Sequence, residues 1–134
     1  MTPFVAAVCA LVRKDGRILS MRRALSKDAS PGIWEAISGR IEPGEDPLEA
    51  VRREILEESG LGVEVHLRPL SAHTSERAGI PMLIVYYLAD WKSGEVVLSD
   101  EHDAFEWLDA RAFAARTPIA PLARAVQQIL SGLE

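Results

Sequence analysis

Apolar positions come in bursts along this chain, and their spacing changes from one burst to the next. Phe4 to Val12 is an almost unbroken apolar run, the pattern of a strand buried on both faces. Asp15-Gly16 marks a tight turn, and Arg17 to Arg22 reads as the returning strand of a hairpin. Residues Ala24 to Gly32 are polar and contain Pro31-Gly32, which predicts a loop, and a short extended piece, Ile33 to Ile41, follows. At Pro43-Gly44-Glu45-Asp46-Pro47 the period shifts: Asp46 suits a helix cap, Pro47 the first helical position, and Glu49 stands three residues after the cap. The helix is predicted to run to about Ser59 and to stop at Gly60, a residue that tolerates the left-handed conformation. Val63 to Leu70 and Pro81 to Trp91 are strand-like, with Phe105 to Leu108 a brief further segment. From Pro121 onward Leu122, Ala125, Val126, Ile129, Leu130 and Leu133 recur at helical spacing. Strands and helices mix without regular βαβ alternation, so the predicted fold is α/β, a mixed sheet flanked by helices.

Composition narrows the function classes. A chain of 134 residues, evenly composed and without repeats, is expected to form one domain over 1–134. Its formal net charge of −5 argues against gripping duplex nucleic acid through general positive charge. An anionic substrate would then need a local attractor, a metal ion or a few placed arginines. No apolar run approaches the ~20 residues needed to cross a bilayer. The start Met1-Thr2-Pro3 carries no basic side chain ahead of the apolar run, so a cytoplasmic protein is expected. The lone Cys9 reads as a buried strand thiol.

Chemistry concentrates on the first helix. Leu48, Val51 and Ile55 share a stripe, while Glu54, Glu57 and Glu58 gather on a neighbouring face. An acidic helix face ordinarily just meets water, yet carboxylates at this spacing repel, and each like-charge pair costs a few tenths of a kcal/mol. A hard divalent cation, Mg²⁺ or Mn²⁺, would offset that cost. Arg53, four residues before Glu57, is expected to pair with it and orient it.

The surroundings decide between the two readings. Gly39-Arg40-Ile41-Glu42-Pro43-Gly44-Glu45, then a spacer, then Arg53-Glu54-Ile55-Leu56-Glu57-Glu58-Ser59-Gly60-Leu61 resembles the signature of the Nudix hydrolase superfamily, agreeing at Gly39, Glu45, Arg53, Glu54, Ile55, Glu57, Glu58, Gly60 and Leu61. The resemblance implies an α/β/α sandwich and metal-dependent hydrolysis of a nucleoside diphosphate linked to another group. It implies Glu54, Glu57, Glu58 and the carbonyl of Gly39 as metal ligands, with Glu45 and Arg53 supporting loop and helix. Many relatives carry Pro-Gly-Gly where this chain has Ile37-Ser38-Gly39, a change that bears on loop shape and substrate fit.

Attack on a pyrophosphate needs its charge neutralised and a water activated. Glu54 and a glutamate from elsewhere in the fold are the candidate bases, and the run Ser99-Asp100-Glu101-His102-Asp103 resembles the loop in which many relatives place that second acid. Glu101 is the choice, with Glu106 the alternative. The catalytic set is thus Glu54, Glu101 and Arg53, and the substrate-binding set is Arg23, Trp34 and Arg40. Arg23 resembles a strand-end arginine that meets phosphate in some relatives, and Trp34 either stacks on a base or packs. His66, His73 and His102 lack zinc-site spacing. Tyr86 and Tyr87 should face opposite sides of their strand.

The expected activity is cleavage of a nucleoside triphosphate, oxidised or not, to monophosphate and pyrophosphate. The alternatives are another nucleoside diphosphate derivative (ADP-ribose, a dinucleoside polyphosphate or a nucleotide sugar) and a ligand-binding sensor that keeps the fold without turnover. No accessory motif resembles those of coenzyme A, NADH, ADP-ribose or dinucleoside polyphosphate hydrolases, and Cys9 does not resemble a catalytic thiol of an isomerase. The sequence does not fix an oligomeric state; among soluble oligomers dimers are the commonest assembly, which makes a homodimer the assembly to test.

Overall fold

In the computed structural model, residues 3–27, 30–77 and 79–131 are described. The opening hairpin forms as the turn signal predicts. Strand β1 (Val5–Lys14) meets β2 (Arg17–Arg23) with Lys14 opposite Arg17, and Asp15 and Gly16 both hold positive φ, 52° and 74°, as a tight hairpin turn requires. The predicted extended piece divides into β3 (Trp34–Glu35) and β4 (Ile37–Arg40). Helix α1 spans Pro47–Ser59. The Glu49 carboxylate accepts from the Asp46 N–H at 2.8 Å, and Gly60 closes the helix at φ 70° with its N–H on the Leu56 carbonyl.

Beyond the helix the structure departs from the pattern in three places. Val63 to Leu70 is only the short strand β5 (Gly62–Val65), and β6 (Ser71–Arg77) follows in a stretch whose polarity gave no strand signal. That strand pairs on one side only, with β7 (Ile80–Ser93), so it needs no apolar alternation. After β8 (His102–Leu108) comes a helix the periodicity did not reveal, α2 (Ala110–Arg116), too short to show a repeat. The Asp109 carboxylate caps it through Ala112 N–H, and the wholly buried Phe113 anchors it. Truncating such a phenylalanine costs about 3–5 kcal/mol. Helix α3 (Ala120–Leu130) buries Leu122, Ala125, Val126 and Ile129 as predicted, while Leu133, Met1 and Thr2 lie outside the described residues.

The sheet runs β3-β2-β1-β7-β5, with β4 added to β1, β6 to β7 and β8 to β2. Parallel pairing of β1 with β7, from Val5 opposite Met82 to Arg13 opposite Asp90, forms its centre. Alternate residues of these strands serve two cores. Val8, Ala10, Val12, Tyr87 and Ala89 pack on Val51 and Ile55 of α1, while Cys9, Leu11 and Tyr86 pack toward Phe113, Leu122 and Val126. Helices thus cover both faces of a mixed sheet, and the two tyrosines point apart as alternation demands. Among the described residues no helix is long and apolar enough to cross a membrane.

Candidate active site

The sharpest constraint is at Gly39. A Cβ there would overlap the carboxylate of Glu54, so glycine is what lets that carboxylate lie against β4. Arg53 fixes that carboxylate. Its guanidinium donates to Glu54 Oε2 at 2.8 Å, to both oxygens of Glu45 at 2.7 and 3.0 Å, and to the carbonyl of Arg40 at 3.0 Å. The predicted Arg53–Glu57 pair is present only as a long contact of 3.4 Å, because Glu57 is exposed and the fork is already engaged by Glu45. Arg53 therefore binds helix, loop and β4 together. Its hydrogen bonds, and one from the Glu42 N–H, hold the Glu45 carboxyl down to about 2.

Beneath the helix lies a buried charge cluster that the sequence did not disclose. Glu58 is 4% exposed, and its Oε1 has no hydrogen-bond partner; 3.6 Å away stands His102 Nδ1, likewise without one. The other ring nitrogen of His102 meets Glu35 Oε2 at 2.8 Å, and Arg23 approaches the same oxygen at 3.7 Å. Register explains the meeting, since β2 pairs Met21 with Glu35 on β3 and Arg23 with His102 on β8. Burial first, then hydrogen bonding to Glu54 and the charges of Glu54, Glu35 and Glu101, pushes the Glu58 carboxyl far above the ordinary carboxylate range.

These features test the implied metal. An unpartnered buried carboxylate oxygen and a glycine with no room for a side chain beside Glu54 are what a hard cation held by Glu54, Glu58 and the Gly39 carbonyl would account for. The residues fit. They are not drawn into a ready-made cage: among the described residues no three acidic, His or Cys side chains stand grouped to hold a metal, because Arg53 engages Glu54, Glu58 turns inward and Glu57 stays in solvent.

A cavity of about 920 Å³ opens beside this helix. Its floor is the odd-numbered face of β1 with its neighbours, in three transverse rows: Ser38–Cys9–Tyr86, Arg40–Ala7–Ile84–His73 and Val5–Met82–Ser75. One end is polar and charged, with Gly39, Arg40, Glu54, Glu35, Arg23 and Glu101; the other is mainly apolar, with Ile80, Met82 and Ile84 from β7 and Ile119, Pro121 and Leu122 at the start of α3, edged by His73, Thr74, Ser75 and Glu76 of β6. Glu101 lines the polar end and pairs with Lys27 at 2.9 Å, which lowers its carboxyl below the usual range. Glu106 is turned away to Arg116.

Of the substrate-binding residues expected, Arg23 and Arg40 reach the cavity and Trp34 does not. Trp34 precedes the inward Glu35 and packs beneath the Arg116 guanidinium, 4.6 Å from its ring centroid. Glu35 is the buried, cavity-lining acid that sequence reasoning missed. A lone glutamate between aromatic and apolar neighbours carries no periodic signal, and only its two-residue stretch of strand shows it to be buried.

Comparison with known proteins gives the family and the fold. The NUDIX domain family matches the chain over residues 2–128. A CTP pyrophosphohydrolase of Escherichia coli is 30% identical over 118 residues, covering 87% of this chain and 84% of that protein. A protein named octanoyltransferase from Myxococcus xanthus is 35% identical over 121 residues, but those cover 85% of this chain and only 32% of that protein, so the chain spans about a third of its length. The crystal structure of a MutT protein from Methanosarcina mazei matches with a TM-score of 0.83 at 22% identity, over 97% of this chain and 94% of that one. With the signature on α1, the glycine wedged against Glu54 and a family match over nearly all its length, this chain belongs to the Nudix hydrolases, enzymes that act on phosphoric anhydride bonds.

Proposed function

We propose that the protein is a divalent-metal-dependent pyrophosphohydrolase that cleaves a nucleoside triphosphate to the monophosphate and pyrophosphate. The observation that carries this reading is the polarity gradient of the cavity beside α1. Its polar end offers carboxylates and arginines to charged phosphates, and its apolar end offers Ile, Met and Tyr side chains to a base. The E. coli relative named CTP pyrophosphohydrolase supports a nucleotide substrate.

Glu54, Glu57, Glu58 and the Gly39 carbonyl would hold Mg²⁺ or Mn²⁺, which when bound polarises phosphoryl oxygens and acidifies water. Arg23 and Arg40 bind phosphate oxygens by their planar forks. Water oxygen forms the new P–O bond while the bridging P–O bond breaks, and the water's proton passes to a carboxylate at the polar end. Three acids line that end, and with Glu35 already engaged by His102, Glu54, fixed by Arg53, and Glu101, fixed by Lys27, are the two that take it. Arg53 is a positioning residue in this scheme, since its donors are engaged by Glu45, Glu54 and the Arg40 carbonyl. Chromatographic product analysis on a nucleotide panel with Mg²⁺, wild type beside Glu58→Gln, tests the reading. Monophosphate and pyrophosphate from wild type alone support it. Cleavage restricted to ADP-ribose, dinucleoside polyphosphates or nucleotide sugars would move the substrate, and tight retention without cleavage would make the chain a sensor.

A further inference from the structure

One polar side chain at the mainly apolar end, His73, makes no side-chain hydrogen bond among the described residues. His73 stands on β6, opposite Ile84, in the floor row that begins at Arg40. Three strand spacings of ~4.8 Å separate the ends of that row, so Arg40 and His73 lie about 14 Å apart across the cavity floor. That is the reach of a nucleoside joined to its phosphates. With phosphates at Arg40, a base arrives at His73.

The imidazole is prepared for such a contact. It is half-buried, and its ring stands edge-on to Tyr86, 5.1 Å between centroids at 86°, which restrains its orientation. No hydrogen bond to its nitrogens is formed by any described residue. Burial, and the nearby charge of Arg124, lower its pKa, which keeps the ring neutral at pH 7. A neutral imidazole carries one donor and one acceptor, and the tautomer decides which is presented. Around it Ile84, Met82 and Ile119 offer a base apolar contact, and the nearest polar lining residues, Thr74, Ser75 and Glu76, follow it along β6.

Building on the nucleotide reading above, we infer that His73 is the base-binding residue: an imidazole nitrogen hydrogen-bonds the edge of the nucleobase and so selects nucleotides over other diphosphates. Because one tautomerisable nitrogen pairs with either a donor or an acceptor, the choice it enforces is base against no base, not one base against another.

The test is a calorimetric titration, needing no metal, of wild type, His73→Phe and His73→Asn with nucleoside monophosphates and with ribose 5-phosphate. Phenylalanine keeps the aromatic contact with Tyr86 and removes the nitrogens; asparagine keeps a donor and an acceptor. Wild type is expected to bind the nucleotides more tightly than the sugar phosphate. His73→Phe should weaken nucleotide binding about tenfold, the worth of one hydrogen bond, and leave ribose 5-phosphate unchanged, with His73→Asn between. In turnover KM should rise for nucleoside triphosphates with kcat kept. If wild type prefers nucleotides but His73→Phe binds them unchanged, or loses both ligands equally, the inference fails while the nucleotide reading stands. If wild type makes no distinction between nucleotide and sugar phosphate, the nucleotide reading itself fails.

Discussion

Replacing Glu58 by glutamine should make the metal-free protein more stable and the enzyme inactive. Glu58 is 4% exposed and sits close to Glu54, Glu35 and Glu101, so its carboxyl stays protonated at neutral pH. In the unfolded chain it ionises near 4.5, and folding at pH 7 must therefore take up a proton. At about 1.4 kcal/mol per pH unit, that uptake costs at most about 3.5 kcal/mol, and structural relaxation brings the expected gain from Glu58→Gln to about 1–3 kcal/mol. The sign follows from linkage. A carboxyl whose folded pKa is raised binds more protons in the native state, so stability falls as pH rises above about 4.5, and glutamine abolishes that slope. Urea unfolding in chelator at several pH values between 5 and 8 measures both quantities. Saturating Mg²⁺ should reverse the order, because a cation that displaces the proton stabilises wild type by about 2.7 kcal/mol at a hundred times its Kd, and a neutral amide is a poorer ligand. A variant no more stable than wild type in chelator at pH 7, or a wild type whose stability does not decline over this range relative to the variant, would refute the reasoning.

Other outcomes follow from the same geometry. Gly39→Ala should lower kcat/KM about a hundredfold by driving the Glu54 carboxylate out of place, while far-ultraviolet circular dichroism stays native, because the atom displaced is the end of a side chain and not backbone. Arg53→Lys keeps the charge but loses the fork onto Glu45, and Mn²⁺ affinity by calorimetry should fall about 10–100-fold. Glu45, depressed by Arg53, contributes stability that is present above about 4.5 and lost as pH falls toward about 2; urea midpoints over that interval should drop in wild type and less in Arg53→Lys.

Much of the site was legible before any coordinates because it is local. Three glutamates on a helix, the glycine ahead of it and the capping residues Asp46, Pro47, Glu49 and Gly60 belong to one stretch of chain, and helical spacing brings Glu54 and Glu58 to the buried side while Glu57 stays in solvent. Elements whose character depends on their neighbours were not legible. Strand β6 is polar because nearly all its described side chains face solvent, α2 is too short for a repeat, and Trp34 packs on Arg116 because its two-residue strand turns Glu35 inward instead.

The sequence by itself determined the hairpin, the signature helix, the closing helix and the acids that a cation would need, since each is written in spacings of a few residues. Only the tertiary structure decided which partners those acids have: Arg53 clamping Glu45 and Glu54, His102 set between Glu58 and Glu35, and a cavity floor joining Arg40 to His73 across four strands. The physical reason is range. Backbone periodicity is fixed by neighbours in the chain, whereas burial, charge pairing and the register of distant strands exist only once segments far apart in sequence have met.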